Sequence, residues 1–292
     1  MPAVALGLLS ALVYGSADFV GGVAARRIGA LRATAVGALS GLALLLLSLP
    51  LVGGAWTSAA VGWGALSGIV GSVAVFLLYA CLAIGPMSIL SPLTAVVSAI
   101  VPLTWGLIGG DRFALIGYVA LGVALIAVVL VGFVPERGAV RPSGKALLMA
   151  VGAGVFIGAF LILLDQTPAD SGVVPLIANR AVNGAIMWAV VGVAVVRARA
   201  AEGGPSGGAT ADRFTRRGTG LAAGSGVLDA SANVLILVGL RAGDLSTMSV
   251  LVALYPAGTI LLAAIVLRER IAPVQWIGLA LAVGAAGMLA AA

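Results

Sequence analysis

Apolar segments of roughly twenty residues follow one another along this chain, separated by short polar or glycine-containing breaks. Each is long enough as a helix to cross about 30 Å of hydrocarbon. The pattern predicts ten such helices, near 3–25, 31–52, 59–81, 86–109, 113–134, 145–165, 172–196, 219–240, 245–267 and 271–290. The first apolar run lacks a basic start and continues past twenty residues to Arg26 and Arg27, so it reads as a retained span and not a cleaved leader. One substantial polar interruption, 197–218, mixes Gly, Ser, Pro and charge and predicts a flexible loop between helices seven and eight.

The chain also repeats itself. Aligned without gaps, Gly85, Ser88, Ser91, Leu93, Ala95, Ala99, Leu103 and Arg112 recur as Gly243, Ser246, Ser249, Leu251, Ala253, Ala257, Leu261 and Arg270. Acids precede the last pair, Asp111 and Glu269, and an aromatic follows each by six residues, Tyr118 and Trp276. The repeat places helix four on helix nine and so divides the chain into 1–138 and 139–292, five helices each. An odd number of spans per copy inserts the second copy upside down, an arrangement typical of secondary transporters with a site near midplane. The expected fold is therefore an all-α integral membrane protein of two inverted five-helix repeats. Internal two-fold pseudo-symmetry lets a monomer suffice.

Composition agrees and narrows the chemistry. The 292 residues are 62% hydrophobic and 9% charged, far from the balance of soluble domains. With no histidine and a single cysteine, neither a disulfide framework nor a zinc or haem site is expected, and no cofactor is implied. No phosphate-binding loop of the G-x-x-x-x-G-K-[ST] type occurs, and no nucleophile–base pair suggests an enzyme. The net charge of +6 reports topology, not nucleic-acid binding. Arg26, Arg27, Arg32, Arg137, Arg141, Lys145, Arg197, Arg199, Arg213, Arg216, Arg217, Arg268 and Arg270 fall on one face, against Arg112 and Arg241 on the other. The positive-inside rule makes the loaded face cytoplasmic and puts both termini outside.

Small residues four apart, Gly64/Gly68, Ser67/Gly71 and Gly154/Gly158, predict close helix packing. Pro92, Pro102 and Pro256 each remove a helical N–H and free the carbonyls of Ser88, Ser98 and Val252.

Against this background the polar groups at membrane depth stand out. Asp18 interrupts helix one; Asn179, Arg180 and Asn183 lie in helix seven, with Arg180 and Asn183 sharing a face; Ser225, Asp229 and Asn233 recur every four residues on helix eight. Asp165 ends helix six and reads as a boundary residue. A carboxylate at mid-bilayer costs about 2.5–3.5 kcal/mol on insertion scales. Arg180 is the lone cation at that depth, so the cheapest arrangement pairs it with Asp18 or Asp229 and leaves the other to hydroxyls, amides, water or a proton. A fixed pair setting helix register and a substrate site explain such groups equally well. In the functional version Arg180 receives a substrate carboxylate and an aspartate or serine carbonyls receive its ammonium. Trp63, Tyr79 and Tyr255 would supply walls, and Ser88, Ser91, Thr94 and Ser98 would line the space.

The stretches "LLSALVYGSADFVGGVAARR", "YACLAIGPMSILSPLTAVVSAIVPL" and "VLVALYPAGTILLAAIVLRERIAPVQWIGLALAVGAAG" resemble the EamA-type members of the drug/metabolite transporter superfamily. The resemblance covers nearly the whole chain. It implies ten helices in two inverted halves moving small metabolites across the inner membrane by alternating access, with termini in the cytoplasm, opposite to the charge distribution. It also implies an amino-acid or metabolite exporter, YddG-like exporters of aromatic amino acids among them. The alternative is a proton-coupled efflux pump for lipophilic cations through Asp18 or Asp229. A buried arginine disfavours that reading unless the arginine is already neutralised. A non-transporting membrane scaffold or lipid-handling partner is a third reading, and the repeat and midplane polar groups argue against it.

Overall fold

The computed structural model describes residues 2–84, 87–132, 142–201, 215–266 and 271–291, all helix and short connections. Eleven helices follow in order: α1 (Pro2–Ile28), α2 (Ala30–Val52), α3 (Ser58–Ile84), α4 (Met87–Gly109), α5 (Leu115–Gly132), α6 (Gly144–Asp165), α7 (Val174–Ala201), α8 (Arg216–Ala242), α9 (Leu245–Val252), α10 (Tyr255–Val266) and α11 (Pro273–Ala291). With α9 and α10 taken as one interrupted span, they make ten crossings of sufficient length and apolarity.

Local chemistry explains the ends. Ser143 and Thr215 cap α6 and α8, each side-chain oxygen accepting from a backbone N–H three residues on. Between α1 and α2 the chain reverses through Gly29 alone, at φ 83, a left-handed conformation that other residues rarely adopt. Polar helix ends extend further than hydropathy suggests: α7 runs to Ala201 and α8 begins at Arg216, so the predicted loop at 197–218 starts and ends in helix. Its centre, 202–214, lies outside the described residues.

Packing displays the internal symmetry. Numbering the spans one to ten, span one packs on eight and nine, and six packs on three and four; two packs on seven, four on nine, and five on ten. Exchanging each span with the one five places away converts this set into itself. The fold is two inverted five-helix repeats, interleaved so that every major contact crosses between them.

Close approach of backbones makes this possible. An added Cβ at Gly15 on α1 would strike the carbonyl oxygen of Tyr255 and the Gly258 and Thr259 backbone on α10. Gly154 and Gly158 on α6 play the corresponding part against Thr94, Val97, Val101 and Pro102 of α4. The buried core is accordingly alanine-rich, with Ala95, Ala99, Ala120, Ala124, Ala127, Ala282 and Ala285 in its largest cluster. Large aliphatic and aromatic side chains such as Leu47, Leu51, Phe76, Ile108 and Leu115 face outward, as lipid contact requires.

Proline acts unequally. α4 stays continuous through Pro92 and Pro102, whose rings pack on Gly132 and Gly158. At Pro256 the ninth span breaks: Leu254 N–H turns to the Leu251 carbonyl, and a new helix starts at Tyr255. The single helix expected at 245–267 is thus two, and the freed backbone lies beside α1.

Candidate functional site

α1 is clamped at mid-length from both sides. Ser225 on α8 donates to the Ala17 carbonyl at 2.8 Å, and Thr259 on α10 donates to the Gly15 carbonyl at 3.1 Å. These bonds, with Gly15 against α10 and Gly21 against Ser225, fix the rotation of α1. Tyr14 and Asp18, one turn apart, therefore share a face. Tyr14 meets Tyr255 edge to face, centroids 5.7 Å apart. Asp18 lies within electrostatic range of Tyr255, and Tyr14 within range of Arg180.

Asp18 itself is exposed. Among the described residues Asp18 takes part in no hydrogen bond or ion pair.

Arg180 instead pairs with Asp229, its Nη2 donating to Asp229 Oδ2. The arginine stem passes over Gly41 of α2, where a Cβ would stand 3.7 Å from Arg180 Cδ. Asn233 holds the other partner: its Nδ2 donates to the Asp229 carbonyl at 2.8 Å and reaches Asp229 Oδ2 at 3.4 Å. The pair retains some exposure, 15% and 22% of the two side chains. Asn233 Oδ1 is the only sealed, unpartnered side-chain polar atom among the described residues. The remaining nitrogens of Arg180 and Asp229 Oδ1 form no bond there and are not sealed.

Other predicted residues have different employment. Asn179 and Asn183 donate to Ser67 and Ser72 at 2.8 and 3.0 Å, stitching α7 to α3 on either side of Arg180. The face expected to be common to Arg180 and Asn183 is thus divided between α8 and α3. Thr94 donates to the Ala150 carbonyl of α6 and Ser98 to its own helix. Trp63 is exposed, next to Gly64, which packs on Pro175 of α7. The side chains of Tyr79, Ser88 and Ser91 lie outside the described residues. Tyr14 was absent from the sequence expectations, although its place four residues before Asp18 marks it.

A second polar region lies toward the face that carries the N-terminus. Asp111 folds back over Gly106, and its Oδ2 accepts from both Ser246 N–H, at 3.1 Å, and Ser246 Oγ, at 2.6 Å. This ties the end of α4 to the start of α9. Asp165, Gln166 and Asp244 line the adjoining cavity of about 300 Å³. Burial, then the charge of Asp111, pushes the Asp244 carboxyl above its ordinary pKa. Arg241 braces the same face, donating to Ser171 Oγ at 2.9 Å and to the Pro168 and Gly172 carbonyls.

Comparison with known proteins places this arrangement. A family model described as "EamA-like transporter family" matches residues 144–291. A crystal structure with 16% sequence identity superposes with a TM-score of 0.70, covering 98% of this chain and 96% of its own; this shows the fold. No curated protein matches the chain.

Proposed function

The chain belongs to the EamA-like transporter family, a family of membrane transporters of small molecules, and from that premise we propose a secondary transporter that exports amino acids and related small metabolites, or facilitates their movement, across the inner membrane. Alternating access between the two repeats would carry the substrate past the polar interior. The observation that carries this reading is a set of charged groups at mid-length of the spans yet accessible: Asp18, without a hydrogen bond or ion pair among the described residues, and Arg180 and Asp229, paired with donors and an acceptor to spare there. Intramembrane ionisable groups are expensive, and they mark pathways and sites. The broken ninth span beside them is the backbone feature that transporter sites use. In this reading Asp18, Arg180, Asp229 and Tyr255 contact substrate, joined by Tyr14, and Asn233 holds Asp229 in place. Tyr79, Ser88, Ser91, Thr94 and Asn183 would frame the path or hold its walls, and the exposed Trp63 would stand apart from it. The basic face is cytoplasmic by charge.

Flux of radiolabelled L-alanine, L-leucine and L-phenylalanine into proteoliposomes, with and without a pH gradient, tests this. Protein-dependent movement is expected. Its absence for all three, with the protein correctly inserted, overturns the amino-acid reading.

One observation favours the cation-efflux alternative. Arg180 is neutralised by Asp229, which removes the repulsion that counted against a cation beside Asp18. Efflux of a lipophilic cation that is driven by a proton gradient and abolished in Asp18→Asn would establish it.

A further inference from the structure

Arg180 uses one of its five N–H groups on Asp229, through Nη2, and makes no other hydrogen bond among the described residues. Asp229 spends Oδ2 on Arg180 and Asn233, leaving Oδ1 without a partner among the described residues. Neither the spare nitrogens nor Oδ1 is among the sealed atoms, so both are open on the same ion pair. Nη2 keeps a second N–H, which forms a donor fork with Nε–H or Nη1–H, and this fork and an anionic acceptor thus belong to one ion pair between α7 and α8.

Asn233 keeps them there. Both contacts of its Nδ2 are to oxygens of Asp229, and turning the amide over would set oxygen against oxygen, so its orientation is determined. Asn233 is a positioning residue for Asp229.

Resting on the transporter reading above, we propose that the substrate is recognised as a zwitterion docked against the intact Arg180–Asp229 pair. Its carboxylate accepts from the free Arg180 fork, and its ammonium donates to Asp229 Oδ1. The ligand lies antiparallel to the pair, each charge facing its opposite. Charge balance explains why both ends are needed. The interior already holds two carboxyl groups, Asp18 and Asp229, against one guanidinium. A zwitterion adds no net charge to a region where unbalanced charge is costly. An isolated carboxylate would meet Asp229 and Asp18 as well as Arg180. An isolated amine would be drawn to Asp18 and would leave the Arg180 fork unfilled.

The test compares L-leucine with L-leucine methyl ester, which keeps only the ammonium, and N-acetyl-L-leucine, which keeps only the carboxylate. Each is measured as a stabiliser of the purified full chain against heat in detergent, and as a competitor of L-leucine flux in proteoliposomes. Leucine is expected to act at a concentration at least tenfold below either derivative. Arg180→Lys keeps the charge that neutralises Asp229 and loses the fork, so leucine's advantage over its methyl ester should collapse toward unity while the fold survives. An unchanged ratio in that variant overturns the proposal, as does equal competition by the three ligands in the wild type. Equal competition together with sustained leucine flux leaves the transporter reading standing and removes the docking mode. Stabilisation by leucine with no flux supports the docking mode and overturns the transporter reading. Failure of leucine both to bind and to move overturns the two together.

Discussion

The Arg180–Asp229 pair makes a quantitative prediction about folding. Removing one partner of a fully buried pair costs about 3–5 kcal/mol, because the survivor is left charged and unpaired. Here the side chains are 15% and 22% exposed and share one hydrogen bond, so interior water partly solvates a survivor. Arg180→Gln and Asp229→Asn should therefore each destabilise by about 2–3 kcal/mol, near the worth of one charge-assisted bond. The double variant removes both charges and should lose no more than about 2 kcal/mol. The cycle then gives a coupling of at least about 2–4 kcal/mol, against about 0–1 kcal/mol for a solvent-exposed pair.

Unfolding in mixed dodecyl maltoside and SDS micelles, followed by the fluorescence of the five tryptophans, measures all three variants against wild type. Additive single losses, with coupling below about 0.5 kcal/mol, would mean that the two charges do not depend on each other at depth. The enclosed-pair account of this interior would then be wrong.

The remaining predictions address separate parts of the molecule. Arg180→Ala should abolish amino-acid flux while the protein still inserts, and wild-type rates would exclude the role assigned to it. Gly15→Val drives a branched side chain into the α10 backbone; a loss of at least about 1–3 kcal/mol is expected from the same unfolding assay, and a neutral result would contradict the close approach. Trp63→Ala, at an exposed position, should leave the half-saturating substrate concentration within twofold of wild type. Burial, then the charge of Asp111, raises the Asp244 carboxyl above its ordinary pKa of 3.8, so the folded state holds its proton more tightly than the unfolded chain. Its ionisation therefore subtracts stability as pH rises from about 3.8 through the raised folded value, and stability returns on acidification. Asp244→Asn should make the thermal midpoint higher near neutral pH and flatter across that interval; an unchanged profile would refute the assignment.

Much of the fold is legible in the sequence because bilayer thickness leaves few alternatives. A run of twenty apolar residues must be a helix, and five such runs repeated must invert. The interrupted ninth span shows where this reasoning stops. Pro92, Pro102 and Pro256 are equivalent in sequence, each deleting one N–H, yet only Pro256 breaks its helix. Pro92 and Pro102 are held by the glycine surfaces of α5 and α6, and those supports come from distant segments.

The pairing at the site has the same character. Hydropathy identifies Asp18, Arg180 and Asp229 as anomalous but cannot choose the aspartate that neutralises the arginine, since that depends on how each helix is rotated. The rotations are set by small residues. Gly41 lets the Arg180 stem pass toward α8, Ser67 and Ser72 hold α7 from the opposite side, and Ser225 and Thr259 grip the α1 backbone. With those in place Arg180 faces Asp229, and Asp18 is left exposed on the face of α1 that it shares with Tyr14. The chemistry of the site is thus specified as much by glycine and serine, which contribute no charge, as by the ionised residues that attract notice. A larger residue at Gly41 should mimic the loss of Arg180 without touching any charged group. Gly41→Leu would obstruct the arginine stem and crowd Gly226 and Ala230, and the coupling between Arg180→Gln and Asp229→Asn, measured in that background, should fall toward zero in the same unfolding cycle. If that coupling stays at the level found with Gly41 in place, the helix surfaces do not determine the pairing, and the rotation argument fails.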